Sequence, residues 1–373
     1  MRYDLGHQMG DLPKMMSHIA KTVSGWLDRL DPGTHRRIKG LRLVTAFGIA
    51  WMASTMPGIA LLASRSLFLG AIAAGFALWA SVSEARGTRA ASSRDLLLLV
   101  LAAMAGATTT IGLTVMLPTT IQAASELSLV IGAFCVGYLR RFGVLGAGIG
   151  SQIFIGQLLA YSYGLTASDL GMVGVAGAIA VIAAIVPRVL SGPAEHPVIA
   201  PQNAGDQAAT VAAELRMGLQ AAAAALAIVT LNLGIGLEHS AWAVTASTYT
   251  ISGSLEGTTQ RVVRRIIGTS LGVPLALACL PIATDAPLII WTAAGLAMIV
   301  YAMALPERYD IACGAYAFTL IVTLAVGGEH SVLLLAARGW ETLIGGALGL
   351  AAALLLPVGS AAGGWGRLRR RDR

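Results

Sequence analysis

Charge is what this chain has least of. Aspartate, glutamate, lysine and arginine make up 12% of its 373 residues, and hydrophobic types 56%. An ordinary soluble domain carries about twice that share of charge. So few charges cannot cover a water-facing surface, which excludes a soluble globular protein. Cysteine is equally sparse: Cys135, Cys279 and Cys313 all lie inside apolar segments without CxxC spacing. Neither a disulfide framework nor a thiolate metal site is indicated. The six histidines are scattered and show no pairing at helical spacing, so no metal is expected. No glycine-rich phosphate loop ending in Lys-Ser or Lys-Thr occurs, and ATP hydrolysis by that route is excluded. Long polar loops are missing too, apart from the N-terminus, the stretch 191–210 and the tail from Gly363. No soluble catalytic domain fits. The expectation is a protein that is not an enzyme and carries no cofactor.

What is present is apolar length. Runs of about 20 residues, enough to cross a bilayer, fall near 41–63, 66–83, 96–117, 120–139, 142–161, 169–190, 213–236, 240–256, 266–283, 287–305, 310–327 and 335–357. Turn or polar residues separate them, among them Pro118, Arg140-Arg141, Glu238-His239 and Pro306 to Asp310. The expected fold is an all-α integral membrane protein of about 12 transmembrane helices. With a cytoplasmic N-terminus, 24 of the 26 basic residues fall on the inside. The opposite orientation inverts that ratio, so both termini are expected to be cytoplasmic. The net charge of +7 sits at the ends of apolar runs and marks topology. It is not a nucleic-acid footprint, and no nucleic acid is expected as a partner.

The first forty residues contain no continuous apolar core before a small-residue cleavage site and do not read as a signal peptide. Leu12, Met15, Met16, Ile19, Val23, Trp26, Leu27 and Leu30 recur at helical spacing until Asp31-Pro32-Gly33. They predict an amphipathic helix on the membrane surface or on the protein's own cytoplasmic face. The expected organisation is a cytoplasmic segment 1–40, a six-helix repeat 41–190, a cytoplasmic linker 191–211, a second six-helix repeat 212–357 and a basic tail 358–373. An even helix number per half makes the halves parallel repeats about an axis along the membrane normal. Leu41-Arg42 opens the first as Leu215-Arg216 opens the second, and the loop from Glu84 resembles that from Leu255.

The most informative stretch runs from Trp242 to Leu277. At about 100° per residue, Arg261, Arg264, Arg265, Gly268 and Gly272 share one face of a helix, and Val262, Val263, Ile266, Ile267 and Leu271 the other. A small-xxx-small face meets another helix and a bulky apolar face meets lipid. The arginines are therefore expected to point into the bundle, where they line an anion pathway or merely anchor a helix end on the positive-inside side. Arg216 and Arg94 join them as candidates for a substrate-binding pore. Glu126, inside an apolar run, either exchanges protons or serves as a hydrogen-bonded helix contact. Arg338 and Glu341 are expected to pair locally near the outer surface, and Glu256 with Arg261 or Arg265. Gly146, Gly150, Gly345 and Gly349 form further close-packing pairs.

At these residues the chain resembles the fusaric acid resistance superfamily. The resemblance is carried by Leu215-Arg216, Trp242-Ala243, Thr245-Ala246, Gln260-Arg261, Arg265, Gly268-Thr269 and Gly272. In the first half it is carried by Asp31-Pro32-Gly33, Arg37, Leu41-Arg42 and Arg140-Arg141-Phe142-Gly143. That group includes bacterial aromatic acid exporters and is similar to the plant aluminium-activated malate transporters. The resemblance implies an inner-membrane protein that moves organic, including aromatic, carboxylate anions outward, driven by proton exchange or by the anion gradient. Many relatives carry a large cytosolic domain after a six-helix block, and none is seen here. The expected partners are membrane lipid, a small organic anion, and a periplasmic adaptor or a second copy of the chain. A major-facilitator-type transporter is the rival reading, although its Gly, Asp-Arg and Gly-Arg-Arg loop pattern is missing from EARGTRAASSRD. A membrane enzyme on lipid-linked substrates would need acidic or histidine clusters, which are absent. A non-transporting membrane assembly protein is the remaining alternative.

Overall fold

The computed structural model describes residues 35–60, 66–85, 88–117, 121–191, 207–237, 240–305, 307–326 and 331–356, together with Gly25 and Asp31. The amphipathic helix expected over 12–30, the linker over 192–206 and the tail from 357 lie outside the described residues, Gly25 apart.

All regular structure among the described residues is helical. The first block comprises α1 (His35–Ser54), the single turn α2 (Pro57–Ala60), α3 (Ser66–Ser83), α4 (Arg89–Met116), α5 (Ile121–Tyr138), α6 (Gly143–Ser162) and α7 (Leu170–Leu190). The second comprises α8 (Gln207–Ile235), α9 (Ser240–Thr250), α10 (Leu255–Ala278), the short α11 (Leu280–Asp285), α12 (Pro287–Ala304), α13 (Tyr309–Val326) and α14 (Val332–Leu355). Polar residues start several of these helices. Asp31 accepts from the Arg37 amide at 3.0 Å, and Thr88, Ser254 and Ser331 accept from Ala91, Gly257 and Leu334 at the heads of α4, α10 and α14. Each side chain thereby satisfies a backbone donor that the first turn leaves open.

By length and apolar composition, six segments among the described residues can cross a membrane: Arg89–Met116, Ser125–Ser162, Ala167–Leu190, Val211–Ile235, Pro287–Ala304 and Val332–Leu355. Ser125–Ser162 is itself a hairpin. A 3₁₀ turn, Leu139–Phe142, joins α5 to α6, and Gly143 leaves it at φ 76°, a left-handed conformation open to glycine. The two helices then close together, because a side chain on Gly150 would stand 2.3 Å from the Cys135 carbonyl. Gly146 turns instead to the 3₁₀ turn, 2.2 Å from the Leu139 carbonyl by the same measure.

One expected crossing is not a continuous helix. In the run 240–256 the helix α9 has 11 residues, about 16 Å, against a hydrocarbon core of about 30 Å. It stops because Ser252-Gly253-Ser254 follows, with Gly253 at φ 86° and Ser254 extended as the cap of α10. Side chains satisfy the freed backbone: Arg261 donates to the Ile251 carbonyl at 3.3 Å, and the Ser252 amide donates to the Thr258 hydroxyl at 3.2 Å.

In the first block α1 packs on α3 and α7, and α4 on α6 and α7; in the second, α8 packs on α9 and α14, and α10 on α13 and α14. The blocks meet where α5 lies on α8 and α12 lies on α1. The first block's core is apolar, built on Ile72, Phe76, Leu99, Ala103, Ala176 and Ala180. Large apolar side chains remain exposed on outward faces, such as Val263, Ile267, Leu271 and Leu275 of α10, a surface suited to lipid rather than water.

Candidate functional site

Five helices bring cations and aromatic rings together inside the second block. On α10, Arg265 is 7% exposed and donates through Nη1 to the Tyr309 hydroxyl at 3.0 Å, while its Nε has no partner. Tyr309 passes the chain on to the Tyr249 carbonyl at 3.5 Å, and the Tyr249 hydroxyl bonds Ser151 of α6 at 2.7 Å. The arginine reaches this depth because the small residues on its own face let α10 lie directly on α13. Side chains on Gly268 and Gly272 would fall 2.1 and 2.3 Å from the carbonyls of Asp310 and Gly314.

The second cation is Arg338. It is 2% exposed, with its guanidinium 4.9 Å from the centre of the Trp242 ring and 5.2 Å from that of Tyr316. Ring faces attract cations, more so when desolvated. Glu341, fully buried one turn along α14, and Arg265 both act on Arg338 electrostatically. These two residues are buried because α14 turns this side toward α9: side chains on Gly345 and Gly349 would meet Ala243 at 2.2 Å and Thr250 at 3.0 Å. Around Tyr316 the aromatic wall continues with Trp79 of α3 at 5.5 Å and Tyr301 of α12 at 6.3 Å. Tyr249, Tyr301 and Tyr309 are half-buried.

The other sequence candidates are placed elsewhere. Arg264 is half-buried and donates to the Glu307 carbonyl at 2.9 Å, and Arg261 caps α9. Arg216 is exposed, and Arg94 is exposed beside Asp95 at 3.2 Å. Glu256 also stands on the surface, away from the buried Arg265. Glu126 is fully buried, and its Oε1 accepts from Asn232 at 2.6 Å and from Tyr161 and Ser240 at 2.9 Å. Val262, expected to face lipid, is buried against Gly346 because α14 packs there. Sequence reasoning missed Arg338 as a partner of Arg265, and with it Trp242, Tyr249, Tyr309 and Tyr316. An arginine within an apolar run was the available signal for Arg338; the aromatics carried none.

No group of three or more metal-ligating side chains occurs among the described residues. The arrangement places two buried guanidinium groups among hydroxyl oxygens and ring faces, with Glu341 beside Arg338.

Residues 206–352 match the fusaric acid resistance protein-like family. The match spans almost the whole second block, including Arg265, Arg338 and their aromatic neighbours. It supports that family, and with the apolar helices it makes this a multi-pass membrane protein of transporter type. The signatures quoted from the first half, Asp31 to Arg42 and Arg140 to Gly143, lie outside the matched residues. No curated protein and no solved structure matches the chain.

Proposed function

We propose that this protein exports organic carboxylate anions, aromatic ones among them, across a bacterial inner membrane, driven by proton exchange or by the anion's own gradient. One observation carries the reading: Arg265 and Arg338 are both buried in the second block against tyrosine and tryptophan. Buried cations are costly, and inside a membrane bundle they mark substrate or ion pathways. Guanidinium forks suit carboxylates, and a wall of ring edges and faces suits an aromatic guest. No catalytic step is assigned to these residues. A major-facilitator mechanism or a purely structural role gives no reason for two cations in an aromatic chamber.

In this reading twelve crossings form two parallel repeats with both termini cytoplasmic. The pairwise packing supports it, since α1 with α3 and α7 is matched by α8 with α9 and α14, and α5 on α8 by α12 on α1. Leu99 and Arg265 also stand equally far beyond their caps, Thr88 and Ser254, as do Gly106 and Gly272. The eighth crossing is α9 with its extended continuation, at most about 30 Å together; irregular backbone is tolerated at that depth where it lines a cavity. Reporter fusions after Arg94, Arg141 and Arg308 should read cytoplasmic, and those after Ala167 and Asp285 periplasmic. A periplasmic reading from the tail defeats the count. A periplasmic adaptor or a second copy completes the pathway if the single chain shows no flux.

The function itself is tested in proteoliposomes loaded with labelled benzoate, cinnamate or malate. Arg265→Gln and Arg338→Gln should each cut efflux about tenfold or more, equivalent to roughly 1.4 kcal/mol of lost anion stabilisation, at unchanged protein level. Arg265→Lys should keep more flux, because it retains charge but loses the fork. Unaltered flux in both Gln variants would sink the assignment.

A further inference from the structure

One buried acid is unused by the anion chamber. Glu126 is 0% exposed, and its Oε1 receives three hydrogen bonds, from Tyr161 of α6, Asn232 of α8 and Ser240 of α9. Its Oε2 has no hydrogen-bond partner. Among the described residues, the groups bonded to it are one phenol, one amide and one hydroxyl, with Tyr161 the titratable one. From α4, Thr110 is bonded at 2.8 Å to Ser128, a neighbour of Glu126 on α5. One carboxylate oxygen is thus held by three donors, and the other is open to a proton.

The acid is mechanically linked to the anion site through α9. At its first residue this short helix carries Ser240, bonded to Glu126. Near its other end the Tyr249 carbonyl receives the Tyr309 hydroxyl that also accepts from Arg265. Between them Trp242 offers its ring to Arg338. One rod of 11 residues, separated from α10 by the break at Gly253, therefore touches the acid and Arg338 directly and Arg265 through Tyr309. Alongside it, α6 carries Tyr161 at the acid, Ser151 at Tyr249, and between them Gln157, fully buried with neither amide atom bonded.

We propose that Glu126 is the proton-binding group of the exporter, and that α9 makes its protonation and occupancy of the Arg265–Arg338 chamber depend on each other. The proposal rests on the transport reading and chooses proton exchange over a passive anion leak. The step is a simple addition: Oε2 takes one proton from the outer side, and the carboxylic acid gives it up to the inner side. One proton in against one monovalent carboxylate out moves two positive charges inward per cycle, so export is electrogenic and is accelerated by an acid exterior. Uncoupled anion export would move one.

The test uses the full chain in proteoliposomes, with labelled benzoate inside and a trapped pH dye. In the wild type, benzoate efflux should draw protons inward and quicken when the outside is acidified. Glu126→Gln should lose the proton flux and the acceleration yet still pass benzoate down its gradient. Ser240→Ala removes one donor to the carboxylate, which favours the protonated form, so the pH profile of efflux should move to higher pH. An infrared pH titration of the wild type should show a carboxylic C=O band that Glu126→Gln lacks, a readout independent of flux. Proton-coupled efflux in Glu126→Gln, or an unmoved profile in Ser240→Ala, overturns the proposal. Should Glu126→Gln fail to fold, the Ser240→Ala profile decides alone. A wild type that passes benzoate with no proton flux overturns the coupling and leaves the export reading standing; one that passes no anion at all removes both.

Discussion

In the proposed repeat, matching positions of the two blocks carry opposite chemistry. Counted from the caps Thr88 and Ser254, Leu99 of the first block answers to Arg265 of the second; counted from Asp169 and Ser331, Ala176 answers to Arg338. Leu99 and Ala176 are 1% and 0% exposed and belong to one continuous apolar core. Arg265 and Arg338 are nearly as deep, and their neighbours are rings and hydroxyls. The first block does bury an arginine, Arg188, but ties its Nε to Ser92 at 2.7 Å. Equal depth with unequal chemistry teaches that the same distance from a helix cap can hold either an apolar core residue or a buried cation, depending on the helices that cover it.

The harshest way to break this comparison is to give the first block the second's residue. Leu99→Arg should cost about 3–5 kcal/mol, the penalty of an uncompensated buried charge, and yield little monodisperse protein by size exclusion in detergent. A well-folded Leu99→Arg variant would mean that the first block holds a polar space of its own. Next come the matched glycines. A side chain at Gly106 would meet the Ile153 carbonyl at 2.1 Å, and one at Gly272 the Gly314 carbonyl at 2.3 Å. Gly106→Ala and Gly272→Ala should each cost about 1–3 kcal/mol of stability, read as similar drops in Tm; a large difference between them would argue against the repeat.

The reverse exchange is milder and more telling. Arg265→Leu makes the second block resemble the first, and replacing a buried ion by a packed apolar group is often neutral or stabilising by about 1–4 kcal/mol. Thermal stability should hold or rise while benzoate efflux disappears. A strongly destabilised Arg265→Leu would identify the arginine as structural.

The smallest effect is expected where the blocks are latched at the surface. Arg36 of α1 grips Glu307, before α13, through two bonds of 2.6 Å. Those bonds hold the Glu307 carboxyl below its ordinary value. Because the folded value is the lower one, the pair's contribution is present above the ordinary carboxylate range and fades as pH falls through the lowered one. Glu307→Gln should remove that part of the acid-side slope of Tm, slightly, since the pair is open to solvent. An unchanged slope would show that the latch carries no stability.

Part of this was readable in one dimension. Apolar run length gives helices and a membrane, because the bilayer leaves no other way to satisfy the backbone. Periodicity gives the exposed stripe Val263, Ile267 and Leu271 on α10, and the residues from Leu215 to Gly272 carry the family likeness. The early end of α9 was also written locally, in Ser252-Gly253-Ser254. Periodicity cannot say which of three arginines within one turn and a half points inward; Arg265 does so because its face is the one that α13 and α14 cover.

What the chain determined alone is therefore its class and where its helices start and stop, since capping, hydropathy and backbone conformation act over a few residues. What only the tertiary structure decided is the site. Arg265, Arg338, Trp242, Tyr309 and Tyr316 come from four helices, and Glu126 gathers its donors from three more contacts across α6, α8 and α9. Their meeting depends on how closely glycine faces let those helices approach, a property of pairs of surfaces that no single segment encodes.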